Sequence, residues 1–141
     1  MVEKTNLQWF YTPAAGACPF GDVKPGSYYE AAIAWAAESG IVTGYDETRF
    51  GPDDLVTREQ LAAILYRWAQ LKGIDTGIGE DTNILSYDDA FDISGYAIPA
   101  LQWACGAGLL TDTDGKLAPA VPASRAQTAA ALSKLCEVAG K

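Results

Sequence analysis

Two arginines occupy the same position in two similar stretches of this sequence. Arg58 follows Thr57 just before the apolar stretch LAAIL, and Arg125 follows Ser124 just before a second alanine-rich stretch. Threonine and serine are favoured helix N-caps, and a glutamine three residues after each completes a capping box. A guanidinium there opposes the helix macrodipole, at a cost of a few tenths of a kcal/mol. Unpaired helix amides beside a planar guanidinium would, however, hold a carboxylate well, so both positions are candidate anion sites.

A tryptophan also lies earlier in the sequence than each arginine, at a similar distance from it. Trp35 and Trp103 each lie in an alanine-rich segment, and an indole can offer a large, rigid apolar surface to a ligand. Two plainer interpretations stay open. Aromatic residues at helical spacing usually belong to the core, and the arginines could pair with loop acids such as Asp53 or Asp54, a surface contact worth about 0–1 kcal/mol.

The composition argues against catalysis and against a metal or cofactor site. The chain has no histidine, which removes the commonest general base and zinc ligand. Carboxylates lie mostly in predicted loops, such as Asp53-Asp54 and Asp88-Asp89, where they are typical of solvated turns. Gly77-Ile78-Gly79 lacks the flanking strand and Lys-Ser/Thr of a phosphate loop, and the cysteines form no CxxC pair. We therefore expect no enzyme activity, no cofactor and no metal.

Length and charge limit the remaining classes. A chain of 141 residues with net charge −8 fits one acidic globular domain, and without a basic run it is not expected to bind nucleic acid or anionic membrane. It has neither an apolar run long enough to span a membrane nor, in its opening MVEKTNLQWF, the apolar core of a signal peptide. Cys18, Cys105 and Cys136 are expected to be buried or incidental thiols, with one disulfide left open.

The sequence contains an internal repeat. Residues 20–71 align with residues 87–138 at an offset of 67 or 68, so that Trp35 matches Trp103 and Arg58 matches Arg125. We interpret residues 72–86, rich in glycine and acids, as an irregular linker. Residues 1–19 fit neither copy and are either an N-terminal arm, a remnant of a larger chain or a degenerate third copy.

Each copy predicts two helices. The first covers about residues 28–39 and 94–107 and ends at a glycine suited to a left-handed C-cap, Gly40 or Gly108. The second follows the arginine, with apolar residues at the i, i+3, i+4, i+7 spacing of a core-facing stripe. The stripe comprises Leu61, Ile64, Leu65, Trp68 and Leu71, matched by Thr128, Ala131, Leu132, Leu135 and Val138. The predicted fold is all-α, two tandem helical repeats packed as a small bundle.

These motifs resemble the S-layer homology (SLH) repeat of bacterial cell-envelope proteins. The first copy carries an aromatic-x-Asp-Val opening at residues 20–23, Ala-Ile-Ala-Trp-Ala at 32–36 and Gly-Ile-Val-Thr-Gly at 40–44. It continues with Phe-Gly-Pro at 50–52 and Thr-Arg-Glu-Gln at 57–60. The second copy is looser, and together they cover about three quarters of the chain.

The resemblance implies a non-catalytic module that binds a secondary cell-wall polysaccharide, often one bearing pyruvate on an amino sugar, in a groove between repeats. It implies a location at the bacterial cell surface. The arginine would contact the acidic group, with the tryptophan and the Thr-Gly turn beside it. Carried over to this sequence, the ligand-binding residues are Arg58, Trp35, Thr43 and Gly44 in the first copy, and Arg125, Trp103 and Thr111 in the second.

Two departures from the family pattern matter. Asp112 stands where the first copy has Gly44, and an acid there would repel an anionic ligand, so the second site is expected to be weak or inactive. The family usually has three repeats, whereas two are recognisable here. The alternative function is therefore an assembly or docking module, whose uncovered face binds another copy of the chain or another envelope protein.

Overall fold

The computed structural model describes residues 18–112 and 114–140. It contains four α-helices in these ranges, with no β-strand among them, which confirms the all-α prediction. The helices are α1 (Glu30–Glu38), α2 (Arg58–Leu71), α3 (Ile98–Gly106) and α4 (Arg125–Ala139). The interpretation of residues 1–19 as an arm or degenerate repeat falls almost wholly outside the described residues.

Both second helices begin as the capping boxes predict. Thr57 accepts a hydrogen bond from the Gln60 amide at 3.2 Å, while the Gln60 side chain accepts one from the Thr57 amide at 3.0 Å. Ser124 and Gln127 make the same reciprocal pair, each bond at 3.0 Å. These bonds satisfy donors that a helix start otherwise leaves open, and so they fix where α2 and α4 begin.

Both first helices are shorter than predicted. α1 covers nine residues, and the segment before α3 forms a separate 3₁₀ helix, Gly95–Ala97. α3 begins at Ile98, one residue before Pro99. Proline is tolerated in the first turn of a helix but not further inside it, so a continuous α-helix through this segment is disfavoured. The predicted glycine caps are confirmed: Gly40 has φ 78° and Gly108 has φ 80°, the left-handed conformation that glycine adopts without strain.

The chain divides into two compact units, and the division falls inside the first repeat. Unit 1 ends at Asp54 and contains α1, whereas unit 2 begins at Leu55 and contains the other three helices. Among the described residues of unit 1, the buried apolar ones are Phe20, Val23, Ala34 and Ile41. The larger core of unit 2 combines α2 from the first repeat with α3 and α4 from the second. The two repeats are therefore continuous in packing as well as in sequence.

The segment 72–86 is more than the irregular linker that its composition indicates. Gly77–Asp81 forms a 3₁₀ helix that packs on α3, and Ile84 joins the unit 2 core. A Cβ at Gly79 would lie only 3.0 Å from the Trp103 amide nitrogen, so this glycine permits the close approach of two backbones. The glycines of the segment thus include one with a packing role.

Candidate ligand-binding site

Arg58 is buried, although it is charged and stands at the first position of a helix. Its side chain is 3% exposed; Nε donates to the Leu117 carbonyl at 2.8 Å, and Nη2 donates to the Thr111 carbonyl at 2.6 Å. A guanidinium has five donors in a rigid fork, which suits two carbonyls of one loop. Arg58 of the first repeat therefore holds the turn of the second repeat, and the structure brings together two predicted site residues, Arg58 and Thr111.

The start of α2 does not offer unpaired amides. The Arg58 amide donates to Val121 at 2.9 Å and the Glu59 amide donates to Pro119 at 3.0 Å, both to backbone oxygens. The Gln60 amide is capped by Thr57. The expectation of bare amide donors beside Arg58 is wrong, because the loop of the neighbouring repeat supplies their acceptors. The positive end of this helix is engaged by protein rather than left for an anion.

A carboxylate holds that loop in place. Asp89 accepts hydrogen bonds from the Leu117 amide and the Ala118 amide, each at 2.8 Å. Partial burial tends to raise the pKa of Asp89, but the two amide bonds outweigh it and keep the pKa below its ordinary value. Ala118 has φ 51°, an unusual conformation for a residue with a side chain, and this clamp helps to maintain it.

Glu59 is a buried charged residue that the sequence pattern indicated only as part of the Thr-Arg-Glu-Gln motif. It is 6% exposed, and its Oε1 accepts a hydrogen bond from the Ser94 amide at 3.3 Å. Burial of Tyr96 raises its pKa, and the nearby Glu59 carboxylate raises it further. Glu59 thus ties the start of α2 to the segment before α3. The sequence offered one signal for Glu59: the first copy has an acid in the first turn of its second helix, whereas the second copy has Ala126 at the matching position.

The turn that Arg58 holds carries an acid next to Thr111. Thr111 and Asp112 are both exposed, and Asp112 Oδ2 accepts a hydrogen bond from the Gly115 amide at 3.3 Å. The carboxylate is thus hydrogen-bonded within its own turn. It remains at the position from which the sequence analysis expected it to repel an acidic ligand.

Trp103 lies inside the unit 2 core. It has no exposed surface, and its ring centroid is 5.7 Å from that of Tyr66. Its Nε1 has no hydrogen-bond partner among the described residues, an arrangement that costs about 1–3 kcal/mol. This burial favours the core interpretation that the sequence left open. Contact between this ring and a ligand stays a prediction, and it would require the core to open.

The remaining predicted residues are more accessible. Arg125 is exposed at the start of α4, and within unit 1 Thr43 is exposed while Trp35 and Gly44 are partly buried. Gly44 has a steric reason to be glycine, since an added Cβ would lie 2.6 Å from the Asp46 carbonyl oxygen. The structure therefore places Trp35, Thr43 and Gly44 in one unit and the other four residues in the second.

A different concavity lies in unit 2. It has a volume of about 320 Å³ and is lined mainly by apolar groups, among them Leu85, Phe91 and Ile98. None of the predicted site residues lines it. Within residues 18–112 and 114–140 no cluster of acids and cysteines could hold a metal ion, and no helix has the length and hydropathy to cross a bilayer. The cysteines in this part of the chain are free thiols, with Cys136 exposed.

Comparison with known proteins identifies the repeat. The model of the S-layer homology domain matches residues 19–62 and residues 86–129. The chain is 36% identical to an endoglucanase of Bacillus sp. (strain KSM-635) over 83% of this chain and 12% of that protein. It is 30% identical to the surface-layer 125 kDa protein of Lysinibacillus sphaericus over 88% of this chain and 10% of that protein.

A third relative is an amylopullulanase of Thermoanaerobacterium thermosulfurigenes, 31% identical over 86% of this chain and 6% of that protein. The chain thus spans about a tenth or less of the length of these relatives. No solved structure gives a significant match.

Proposed function

Because this chain belongs to the S-layer homology domain family, whose repeats are non-catalytic anchoring modules of the cell surface, we propose that it binds a secondary cell-wall polysaccharide of the pyruvylated amino-sugar type. The ligand would lie in a groove between repeats. The relatives are named as a surface-layer protein, an endoglucanase and an amylopullulanase. These different names are consistent with one attachment module joined to different partner domains.

The observation that carries the proposal is the contact of Arg58 with Thr111. It joins the arginine of one repeat to the threonine turn of the next at 2.6 Å, so a groove residue from each repeat contributes to one place. Two of the guanidinium nitrogens, Nε and Nη2, are engaged by carbonyls. Within the described residues Nη1 has no acceptor, and we assign it to an acidic sugar substituent, whose repulsion by the neighbouring Asp112 it must offset.

The other predicted residues take different roles in this proposal. Arg125 is the accessible guanidinium, and Thr43 with Gly44 forms the turn that lacks the acid found at position 112. Trp35, which is partly exposed, is the indole suited to stack on a sugar. Trp103 is proposed to shape the site from beneath, through its packing. Arg58 fixes the Thr111 turn in addition to offering charge.

The proposed partner is thus an acidic glycan at the bacterial cell wall, and the pyruvate carboxylate is its recognition element. A guanidinium binds a carboxylate through short charge-assisted bonds, whereas an uncharged sugar hydroxyl gives weaker ones. The net charge of −8 does not prevent this binding, because salt screens distant exposed charges within about 8–10 Å.

The test is a calorimetric titration of purified polymer, with and without its pyruvate, into the parent chain and into Arg125→Ala. We expect binding by the parent, a loss of at least about tenfold on removing pyruvate, and a similar loss in the variant. Lys134→Ala is the matched control, because it also removes one positive charge from α4 but lies outside the predicted site.

Arg58→Lys tests the buried arginine without removing its charge, and circular dichroism checks that the variant is folded. We expect weaker binding than in the parent, since lysine cannot reproduce the fork. Equal affinity for polymer with and without pyruvate would reject the proposed ligand. Absence of binding by the folded parent would reject the proposed function.

A further inference from the structure

One face of α4 is apolar and uncovered. Arg125, Ala129, Leu132 and Cys136 are spaced at i, i+4, i+7 and i+11, so they lie along one side of the helix. All four are exposed, and Leu132 keeps 48% of its surface. We call these residues the α4 face. One exposed leucine does not by itself indicate a partner, but the equivalent face of α2 is covered.

The equivalent face of α2 shows what such a partner would be. At an offset of 67 residues, the matching residues are Arg58, Ala62, Leu65 and Ala69, and each is less than 6% exposed. α2 packs against α3, and Arg58 bonds to the loop that follows α3. The cover of this helix face is therefore the first helix and loop of the next repeat.

Unit 1 contains the equivalent of this covering helix, α1, and the corresponding side of α1 is accessible to solvent. Ala32 on α1 is exposed, whereas Ala100, its counterpart on α3, is 1% exposed. Trp35 is likewise partly exposed, whereas Trp103 is buried. The side of α1 that would correspond to the α2-covering side of α3 is thus available.

The loop of unit 1 also has the geometry needed to accept an arginine. Asp22 accepts bonds from the Phe50 amide at 2.9 Å and the Gly51 amide at 2.8 Å, as Asp89 does from the two equivalent amides. Gly51 has positive φ, as Ala118 does. The Asp54 amide donates to Gly51 O, and at the matching place the Val121 amide donates to Ala118 O. In the described part of the chain, the carbonyls of Thr43 and Phe50 have no donor.

We propose that the α4 face of one copy of this chain docks onto α1 and the 43–54 loop of a second copy, repeating between chains the contact that α2 makes within unit 2. Arg125 then donates to the carbonyls of Phe50 and Thr43 in the second copy. Leu132 packs against the exposed side of α1. The interface is heterologous, head to tail, because it joins two different surfaces of the same chain.

The proposed contact between chains lacks one hydrogen bond that α2 makes within unit 2. Ala126 stands where Glu59 bonds the Ser94 amide, so the docking between chains is weaker than the docking within unit 2 and depends on concentration. If the proposed function holds, the docking also completes a second groove. There Arg125 meets the Thr43–Gly44 turn, which has glycine where Asp112 lies in the first groove. The self-association itself does not require any glycan.

The first experiment measures mass against concentration by light scattering, without polymer. The parent is expected to rise from 14.9 kDa towards twice that mass or more. Leu132→Glu, which places a charge on the α4 face, should weaken association at least about tenfold. Lys134→Ala, on the opposite side of α4, should associate as the parent does. A parent that stays monomeric at every concentration, or a Leu132→Glu variant that associates normally, would overturn the proposal.

The second experiment separates the two surfaces. Ala32→Glu alters the α1 side and leaves the α4 face intact, and both variants change exposed positions, so circular dichroism should be unchanged. Each variant alone should be monomeric. Mixed, they should form a 1:1 dimer, because one chain supplies an intact α4 face and the other an intact α1. A mixture that stays monomeric would overturn the head-to-tail arrangement, whereas titration of the parent chain with polymer, with and without pyruvate, decides the proposed function separately.

Discussion

α2 and α4 are two copies of one helix with the same start and different surroundings. Both follow a capping box and both open with arginine. Yet Leu65 is 5% exposed and Leu132 is 48% exposed, although they hold the same repeat position. The difference shows that a repeat of this kind determines its local structure by itself but needs a following repeat to cover its helix face.

The loops of the two copies, in contrast to the helices, are alike in their hydrogen bonds. The Asp22 clamp in unit 1 and the Asp89 clamp in unit 2 use the same pair of amides and nearly the same distances. Their surroundings differ, since Asp22 is exposed and Asp89 partly buried. The loop geometry is thus a property of each copy, whereas burial of the helix face is a property of the junction between copies.

The largest expected effect lies in the tryptophan pair. Trp103→Ala should lower the free energy of unfolding by about 3–5 kcal/mol, because it removes a fully buried ring from the unit 2 core. Trp35→Ala should cost clearly less, since Trp35 is only partly buried. Urea denaturation followed by circular dichroism measures both. Equal losses would mean that the two copies are packed alike and that the contrast between them is mistaken.

The arginine pair should show the next largest contrast. Arg58→Ala should destabilise by about 3 kcal/mol, because it removes two charge-assisted bonds and leaves carbonyls without donors. Arg125→Ala should stay within about 0.5 kcal/mol in monomeric protein, since the residue is exposed. Arg58→Lys, as a control that retains the charge, should fall between the two. A large loss at Arg125 in the monomer would reveal contacts that its exposure does not suggest.

The Asp89 clamp predicts a dependence on pH. Its pKa is lower in the folded chain than the ordinary 3.8, so the clamp stabilises the fold above that value, and its contribution is lost as the pH falls through the native pKa. Asp89→Asn should cost on the order of 1 kcal/mol at neutral pH, after allowing for solvent screening.

Urea titrations at neutral pH and at about pH 3 test this prediction, because carboxylates titrate in that range. The difference between parent and Asp89→Asn should shrink in acid, as the parent loses the charged form. Asp22→Asn is the matched variant in unit 1, and the same direction is expected there because the two amide bonds also lower the pKa of Asp22. A difference that stays constant with pH would show that the charge of Asp89 contributes nothing.

The sequence predicted those features of the fold that depend on residues only a few positions apart. The helix starts at Thr57 and Ser124 and the left-handed glycines Gly40 and Gly108 were all predicted, because caps depend on neighbours three or four residues away. The helical spacing of apolar residues similarly indicated the helices. The shorter α1 and the 3₁₀ break before α3 reflect the weaker signals at helix ends.

Contacts between distant residues could not be read in the same way. The acceptors of the Arg58 side chain lie 53 and 59 residues further along the chain, so nothing beside Arg58 indicated that its amides and guanidinium would be satisfied. Glu59 was likewise hidden, since an acid in a first helical turn is common on exposed helices. The repeat alignment indicated candidate site residues, but it did not indicate that Arg58 of one copy contacts Thr111 of the other.

The smallest contrast is expected at the helix caps, where the two copies should behave alike. Thr57→Ala and Ser124→Ala each remove a bond of about the same length from the same pair of backbone positions, so each should cost about 1 kcal/mol. Thr57→Ser controls for the lost methyl group and should be close to neutral. Urea denaturation would measure these values, and the two losses should agree within about 0.5 kcal/mol. A loss at Thr57 alone would mean that cap strength, like burial, depends on packing against the next repeat. The helix start would then be determined by that packing and not by the local sequence alone.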